Sequence, residues 1–326
     1  PDTLLEFARD VDVVSLENEF VDADALAVLE EEGFRLHPSA ECIRLVQDKL
    51  TQKQTLQAAG LPLPVFRAVH HAEDVVDAAR ELGWPLVLKQ RTLGYDGKGN
   101  ATLRAPGDLP AAWQKLSGDH HALYVEQFCP FEREIAVMVT RAPGGASVVY
   151  PVVDTVQRDH ICHTVTAPAR LDPQQAAQAA ELGQRAAAAI HGVGSIGIEM
   201  FLMPDGRLLI NEMAPRVHNS GHYSIEACLC SQFENHVRAV LGWPLGSPAL
   251  RAPAAAMVNL LGASDGPAMP SGLEEALQVP GAHVHVYGKE RSVKGRKMGH
   301  VTALGMSVEE ALAIAQRAAR LLRFGI

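Results

Sequence analysis

The hydrophobic pattern changes period repeatedly along the chain, and each change marks an element. Residues 1–10 read as the end of a helix, Val11 to Leu16 as a buried strand, Asp24 to Glu32 as a helix closed by Gly33, and Phe34 to His37 as a short strand. Strand and helix alternating at this pitch predict a parallel α/β unit. Only its second half is expected here, because a full unit opens with a strand and a Gly-rich turn. Ser39 caps a predicted helix to about Leu50, and the helical pattern resumes from Thr51 to Ala59 until Gly60 and Pro62 stop it. Ala72 to Leu82 is an amphipathic helix, and Trp84 to Lys89 is a buried strand ending in a lysine. Tyr124 to Phe128 and Glu132 to Val139 predict two more strands. Asp172 and Pro173 open a helix as cap and first residue, with Gln174 to Ile190 as its alanine-rich body. Ser224 to Leu241 predicts one helix. Strands follow at Ala255 to Leu260, His283 to Tyr287 and His300 to Ala303, and a capping box Ser307-x-x-Glu310 starts the last helix.

The stretch from Gly197 to His222 carries the most chemistry. Two apolar runs, each holding one acid, flank Pro204-Asp205-Gly206, which is a hairpin signal. With Asp205-Gly206 as a two-residue loop, Glu199 falls opposite Glu212, Phe201 opposite Ile210 and Met203 opposite Leu208. Like charges facing each other on an apolar ladder repel, and a buried carboxylate without a partner costs several kcal/mol. A hard divalent cation bound by both acids relieves the conflict; an exposed hairpin with two solvated acids is the alternative. Asn211 adds a neutral oxygen, although strand alternation starts its side chain on the other face. A loop one residue longer would slip the register and separate the acids. The segment after the hairpin, with Arg216, His218, Asn219, Ser220 and His222, is polar and broken by Pro and Gly, and it suits an anion.

With 326 residues, 47% hydrophobic and 21% charged, the chain can bury a sizeable core in two or three domains. A net charge of -9 with both signs interspersed excludes an electrostatic nucleic-acid binder. Negative ligands must therefore be held by local clusters. One is Gly94-Tyr95-Asp96-Gly97-Lys98-Gly99, which can bring backbone N–H groups and a lysine to phosphate oxygens or can be a simple hairpin turn. The other is the basic run Lys289 to Lys297, either a phosphate seat or a solvated charge run. Edge-strand backbone near 126–134 can read an adenine, with Glu134 taking a ribose hydroxyl. Gly192 to Gly197 matches G-x-G-x-x-G but follows a helix and opens a strand, the reverse of a dinucleotide fingerprint. Five scattered cysteines indicate reduced thiols and a cytoplasmic setting, with Cys228-x-Cys230 as small buried helix residues rather than a zinc pair. No apolar run approaches the roughly 18 residues of a membrane span, and no signal peptide is expected.

A lysine-ended strand, a Gly loop, an acidic hinge strand and paired acids, in this order, resemble the ATP-grasp enzymes. Gly94 to Gly99, Asn211-Glu212, Pro215 to His222, Ile225 to Cys228 with Ser231 to Glu234, and Tyr287 to Lys289 with Gly295 to His300 resemble the carboxyaminoimidazole ribonucleotide synthetase family more closely, from about residue 10 to the end. The resemblance implies an α/β (α+β) ATP-grasp fold with a partial Rossmann-like N-terminal unit (1–48), a small subdomain (49–125), a central subdomain with the metal site (126–248) and a small β-rich C-terminal domain (249–326). It implies ATP-dependent carboxylation of 5-aminoimidazole ribonucleotide by bicarbonate through carboxyphosphate, by a cytoplasmic homodimer. Lys49, Lys89 and the loop Gly94, Tyr95, Asp96, Gly97, Lys98, Gly99 and Asn100 would hold phosphates. Glu126, Gln127, Phe128, Cys129 and Glu134 would hold the adenosine, with Gln157 where the family usually has a histidine. Glu199 and Glu212, with Asn211 beside them, would bind Mg2+ or Mn2+. Arg216, His218, Asn219 and Ser220 would serve bicarbonate and the amine. Lys289, Arg296 and Lys297 would take the ribonucleotide phosphate, with Tyr95 and Asp96 reaching the same nucleotide. The family chain begins earlier, with a Gly-rich nucleotide-binding turn unmatched here. The alternatives are another ATP-grasp carboxylate-amine ligase, and a truncated nucleotide-binding remnant.

Overall fold

The computed structural model describes residues 2–92 and 99–326. Two short strands, Val14–Ser15 and Leu36–His37, pair in parallel and are joined through the helix Ala23–Glu31, as the α/β pattern predicts. The predicted helix from Ser39 to about Leu50 ends early. Asp48 adopts an extended conformation between Ala40–Gln47 and Lys49–Ala58, and its carboxylate accepts from the Leu50 and Thr51 amides. An aspartate cap competes with helix continuation for those N–H groups. Lys49 thereby becomes the first residue of a new helix.

A four-stranded antiparallel sheet follows, in the order Phe66–Val69, Leu123–Gln127, Leu86–Gln90, Asn100–Leu103. The helices Ala72–Leu82 and Leu109–Lys115 pack on it around Leu86, Leu88, Leu103 and Val125. The strand carrying Glu126 is internal, flanked on both sides, so its backbone is not the free edge expected for reading an adenine. The Arg133–Arg141 strand is likewise paired on both sides.

The main sheet runs Leu208–Ala214, Gly194–Leu202, Arg133–Arg141, Val153–Arg158, Ile161–Ala167, Ala254–Leu261, Lys297–Gly305, Ala282–Val286. The segment after the expected boundary at 249 continues the same hydrogen-bonded sheet, because Ala254–Leu261 pairs with Ile161–Ala167. Helix Pro173–Ala189 covers one face, and Gly194–Leu202 follows it, as the rejected fingerprint requires. The predicted helix 224–241 is two helices, Ser224–Ala227 and Gln232–Val240, with Ser231 capping the second through Glu234 N–H. Cys228 and Cys230 are buried as expected, but they lie in the extended link between these helices and not within one. No helix among the described residues is long and apolar enough to cross a membrane.

Candidate functional site

The hairpin that faces the two acids is built differently from its sequence expectation. Met203 N–H donates to Arg207 O and Gly206 N–H to Met203 O, so the loop is Pro204-Asp205-Gly206, three residues long, with Gly206 at φ +83°. The register is accordingly shifted by one: Leu202 pairs with Leu208, Phe201 with Leu209 and Met200 with Ile210. The expected pairs Phe201–Ile210 and Met203–Leu208 do not form. A β-bulge then absorbs the slip, because Asn211 is the extra residue between Ile210 and Glu212, and Glu199 again stands opposite Glu212. A bulge sets two residues against one and re-aims a side chain. It gives Asn211 a course that strand alternation denies it, and Asn211 Oδ1 is buried without a hydrogen-bond partner.

The two facing carboxyls differ sharply. Burial first, then Glu212 and Glu134, push Glu199 up to about 8. Lys49, whose Nζ lies 3.1 Å from Glu212 Oε2, leads the groups that hold Glu212 down to about 2. The pair thus shares one negative charge, and Asn211, the bulged residue next to Glu212 in the strand, carries an unpaired amide oxygen. Two opposed carboxylates and a neutral oxygen fit a hard divalent cation.

Lys89 does not stand alone. Glu126 is buried and clamped by Lys53 and Lys89, each at 2.6 Å. Sequence reasoning missed Lys53; its signal is the spacing from Lys49, which places both lysines on one helical face. Glu126 is thereby spent within the interior. Gln127 and Phe128 are exposed next to it and Cys129 is buried. Glu134, on the neighbouring strand, is pushed up to about 7 by burial and by Glu212. Gln157 is half-buried opposite Cys162 in a hairpin whose turn residues Asp159 and His160 both have positive φ. Gly94 to Lys98, with Tyr95, Asp96 and Gly97, lie outside the described residues. Gly99 O accepts from Gln90 N–H, and Asn100 pairs with Lys89.

The polar loop is held from below by Gln232, which is fully buried. Its Oε1 accepts from His218 N–H at 3.0 Å, which fixes the amide's orientation. Its Nε2 then donates to His218 O at 2.8 Å and to His222 Nδ1 at 2.9 Å. His222 must therefore carry its proton on Nε2. His218 Nδ1 accepts from Ser220 N–H at 3.4 Å, leaving its Nε2–H 3.6 Å from Glu199 Oε1. Burial, with neighbouring Arg216 or His218 adding to it, lowers both imidazoles to about 3, so both are neutral donors. Two glycines permit this packing: a Cβ on Gly197 would lie 2.5 Å from the His218 ring, and one on Gly221 would lie 2.6 Å from Gln232 Oε1.

The remaining loop residues are engaged with their surroundings. Arg216 grips Glu19 of the N-terminal unit through Nε at 2.5 Å and Nη2 at 3.2 Å. Glu19 also lines a cavity of about 230 Å³ with Phe20, Asp22, Gln47 and Lys49. Asn219 exchanges two amide hydrogen bonds with Asn259, at 2.9 and 2.6 Å, and Ser220 is buried. Lys289, Arg296 and Lys297 gather as the basic run predicts: burial and the other two cations lower Lys289. The Lys297 charge is also felt at Glu199, His218 and His222. The basic run, the polar loop and the acid pair therefore border one site.

Comparison with known proteins places this geometry. Residues 54–233 match the ATP-grasp domain, and residues 255–314 match the phosphoribosylaminoimidazole carboxylase C-terminal domain. The chain is 46% identical to an N5-carboxyaminoimidazole ribonucleotide synthase of Synechococcus elongatus, covering 91% of this chain and 75% of that one. It is 43% identical to a phosphoribosylaminoimidazole carboxylase of Schizosaccharomyces pombe, over 95% of this chain but only 56% of the relative. The crystal structure of the Thermotoga maritima N5-carboxyaminoimidazole ribonucleotide synthetase superposes with a TM-score of 0.88 at 39% identity, over 99% of this chain and 85% of that one. That of the Aspergillus clavatus synthase in complex with ADP and 5-aminoimidazole ribonucleotide gives 0.89 at 35% identity, over 98% and 84%.

Proposed function

Because the chain belongs to the ATP-grasp family of N5-carboxyaminoimidazole ribonucleotide synthases, we propose that it is a C–N bond-forming ligase of purine biosynthesis. Its substrates are ATP, bicarbonate and 5-aminoimidazole ribonucleotide. The observation that carries this assignment is the meeting of three groups in one site: the facing acids, the neutral histidine loop and the cationic trio.

A bicarbonate oxygen attacks the γ-phosphorus, and the bond to the ADP oxygen breaks. The carboxyphosphate so formed is attacked at carbon by the exocyclic amine; phosphate leaves with the bonding pair and the nitrogen loses a proton. Glu199, Glu212 and Asn211 would hold Mg2+, or Mn2+ in its place, which would supply neutralising charge at the phosphates. Lys49 and Lys89 supply fixed cations on the same side, and Glu126 with Lys53 orients Lys89. Gln127 to Cys129 and Glu134 offer the adenosine seat. His218 and His222 present N–H donors without adding charge, which suits holding a carboxylate or carbonate oxygen that must remain nucleophilic. Arg216, tied to Glu19, closes the loop against the N-terminal cavity. Lys289, Arg296 and Lys297 match the ribonucleotide phosphate in charge. Catalysis in such a site is positioning and charge neutralisation. Family membership supports a cytoplasmic homodimer, and analytical ultracentrifugation tests the dimer.

The deciding experiment measures ADP release with Mg2+, ATP and bicarbonate, with and without 5-aminoimidazole ribonucleotide. Strong stimulation by the ribonucleotide is expected. ATP binding without that stimulation would reject the carboxylase assignment and leave a nucleotide-binding remnant.

A further inference from the structure

Behind the polar loop lies a second cluster of ligating side chains that the proposed reaction does not use. Glu226 sits on the short helix Ser224–Ala227, and His285 and His300 are direct cross-strand partners on Ala282–Val286 and Lys297–Gly305. Such partners have Cβ atoms about 5 Å apart, and the two imidazoles stack with centroids 4.4 Å apart. His285 Nε2 lies 2.7 Å from Glu226 Oε1. One ligand atom from each of the three residues lies within 4.8 Å of the other two.

Two atoms in this cluster are buried and unsatisfied: Glu226 Oε2 and His300 Nε2. A buried polar atom left unpaired is costly, more so on a charged group, so two in one place call for a missing partner. His300 is only 1% exposed, and Tyr287 Oη holds its Nδ1 at 2.8 Å. The hydroxyl can accept from Nδ1–H, which orients the ring and leaves the Nε2 lone pair for a metal, as around metal-bound imidazoles. The cluster is reachable, since the His285 side chain is 32% exposed.

We propose that Glu226, His285 and His300 form a transition-metal site, separate from the Glu199–Glu212 pair. Two imidazoles and one carboxylate suit Zn2+ and its neighbours and not Mg2+, which prefers oxygen ligands. Bonds of about 2.0–2.2 Å place tetrahedral ligands about 3.4 Å apart, so side-chain rotation has to close the widest separation, within 4.8 Å, and open the 2.7 Å contact between His285 and Glu226. The bound ion takes over the two orphaned atoms, with His285 turning from Glu226 to the metal and a fourth position left to water. It ties the element that follows the polar loop to two strands of the C-terminal segment. Its location is consequential, because the His222 ring is 5.4 Å from that of His300. The ion therefore stiffens the wall behind the loop.

The test uses the full chain, stripped with EDTA and dialysed, in excess Mg2+ so that the Glu199–Glu212 pair is filled. Titration with Co2+ alone is followed by its visible absorption and then by displacement with Zn2+. One equivalent should bind with an intense four- or five-coordinate spectrum. Affinity should fall at least tenfold in His285→Gln and in Glu226→Gln, each checked for an unchanged melting temperature, and persist in Glu212→Gln. Absence of stoichiometric uptake overturns the site and assigns the orphaned atoms to a bridging water. Uptake that survives both substitutions, or that Glu212→Gln removes, overturns it equally.

Discussion

Gln232 holds the His218 backbone and the His222 imidazole with one amide, and that makes it the most testable residue below the polar loop. In Gln232→Glu a carboxylate faces His218 O and His222 Nδ1 with no N–H to give. His222 then moves its proton to Nδ1 and loses the Nε2–H donor. Ribonucleotide-stimulated ADP release is expected to fall about 100-fold, the scale of losing one oriented donor, with the tautomer read from imidazole 15N shifts. An unchanged tautomer together with normal turnover would reject the clamp. Gly197→Ala tests the same loop sterically: its Cβ meets the His218 ring at 2.5 Å, and overpacking of this kind costs about 1–3 kcal/mol, visible as a lowered melting temperature. At this scale the acids, Lys89 and the histidine loop are legible because each is a charged or polar interruption of an apolar pattern, whereas Lys49, in a polar helix, is reached only through the family resemblance. Gln232 is not legible, since a glutamine in an amphipathic helix gives no sign that all its hydrogen-bonding capacity points inward. The same holds for Lys53 and Glu126, whose pairing needs a helix and a distant strand to meet.

The hairpin shows how an element can defeat a register rule and still deliver its consequence. The loop is one residue longer than a two-residue turn, which by itself separates Glu199 from Glu212. The Asn211 bulge returns them to opposition, and its amide oxygen is buried without a partner. If that oxygen serves the cation, Asn211→Leu should raise the Mg2+ concentration needed for half-maximal ATP turnover about tenfold or more. Asn211→Asp should keep the requirement near its original value. Equal behaviour of the two variants would remove Asn211 from the metal site. Glu212→Ala, in contrast, should abolish turnover with the fold retained, as judged by circular dichroism. Helix boundaries were less readable than strands. Asp48 and Ser231 are caps within runs of helical periodicity, and a cap competes locally with a pattern that periodicity alone extends through it.

For the whole molecule, Lys89 and Glu126 come from the four-stranded sheet, while the acid pair and Lys297 lie on strands of one continuous sheet. The pairing of Ile161–Ala167 with Ala254–Leu261 that makes it continuous leaves no mark in either sequence. This sheet and its loops bury His218, His222 and His300, each lowered mainly by burial to about 3. The unfolded chain protonates these rings near 6.5 and the folded one refuses to, so stability falls as pH drops from about 6.5 towards 3. Glu134 and Glu199, raised to about 7 and about 8, act oppositely: the folded state holds their protons, so they add stability as pH falls from 8 to about 4.5. Below 4.5 both carboxyls are protonated in either state, and the imidazoles act alone, joined by the loss of the depressed Glu212. The metal-free chain should therefore have its highest melting temperature between about pH 6 and 7 and lose it steeply below 4.5. Saturating Mg2+ and ADP keep Glu199 ionised in the folded state, remove its opposing contribution and move the maximum to higher pH. Calorimetry from pH 8 to 4, with and without Mg2+ and ADP, measures both features. A maximum that stays in place when Mg2+ and ADP are added would mean that Glu199 does not give up its proton to the bound cation.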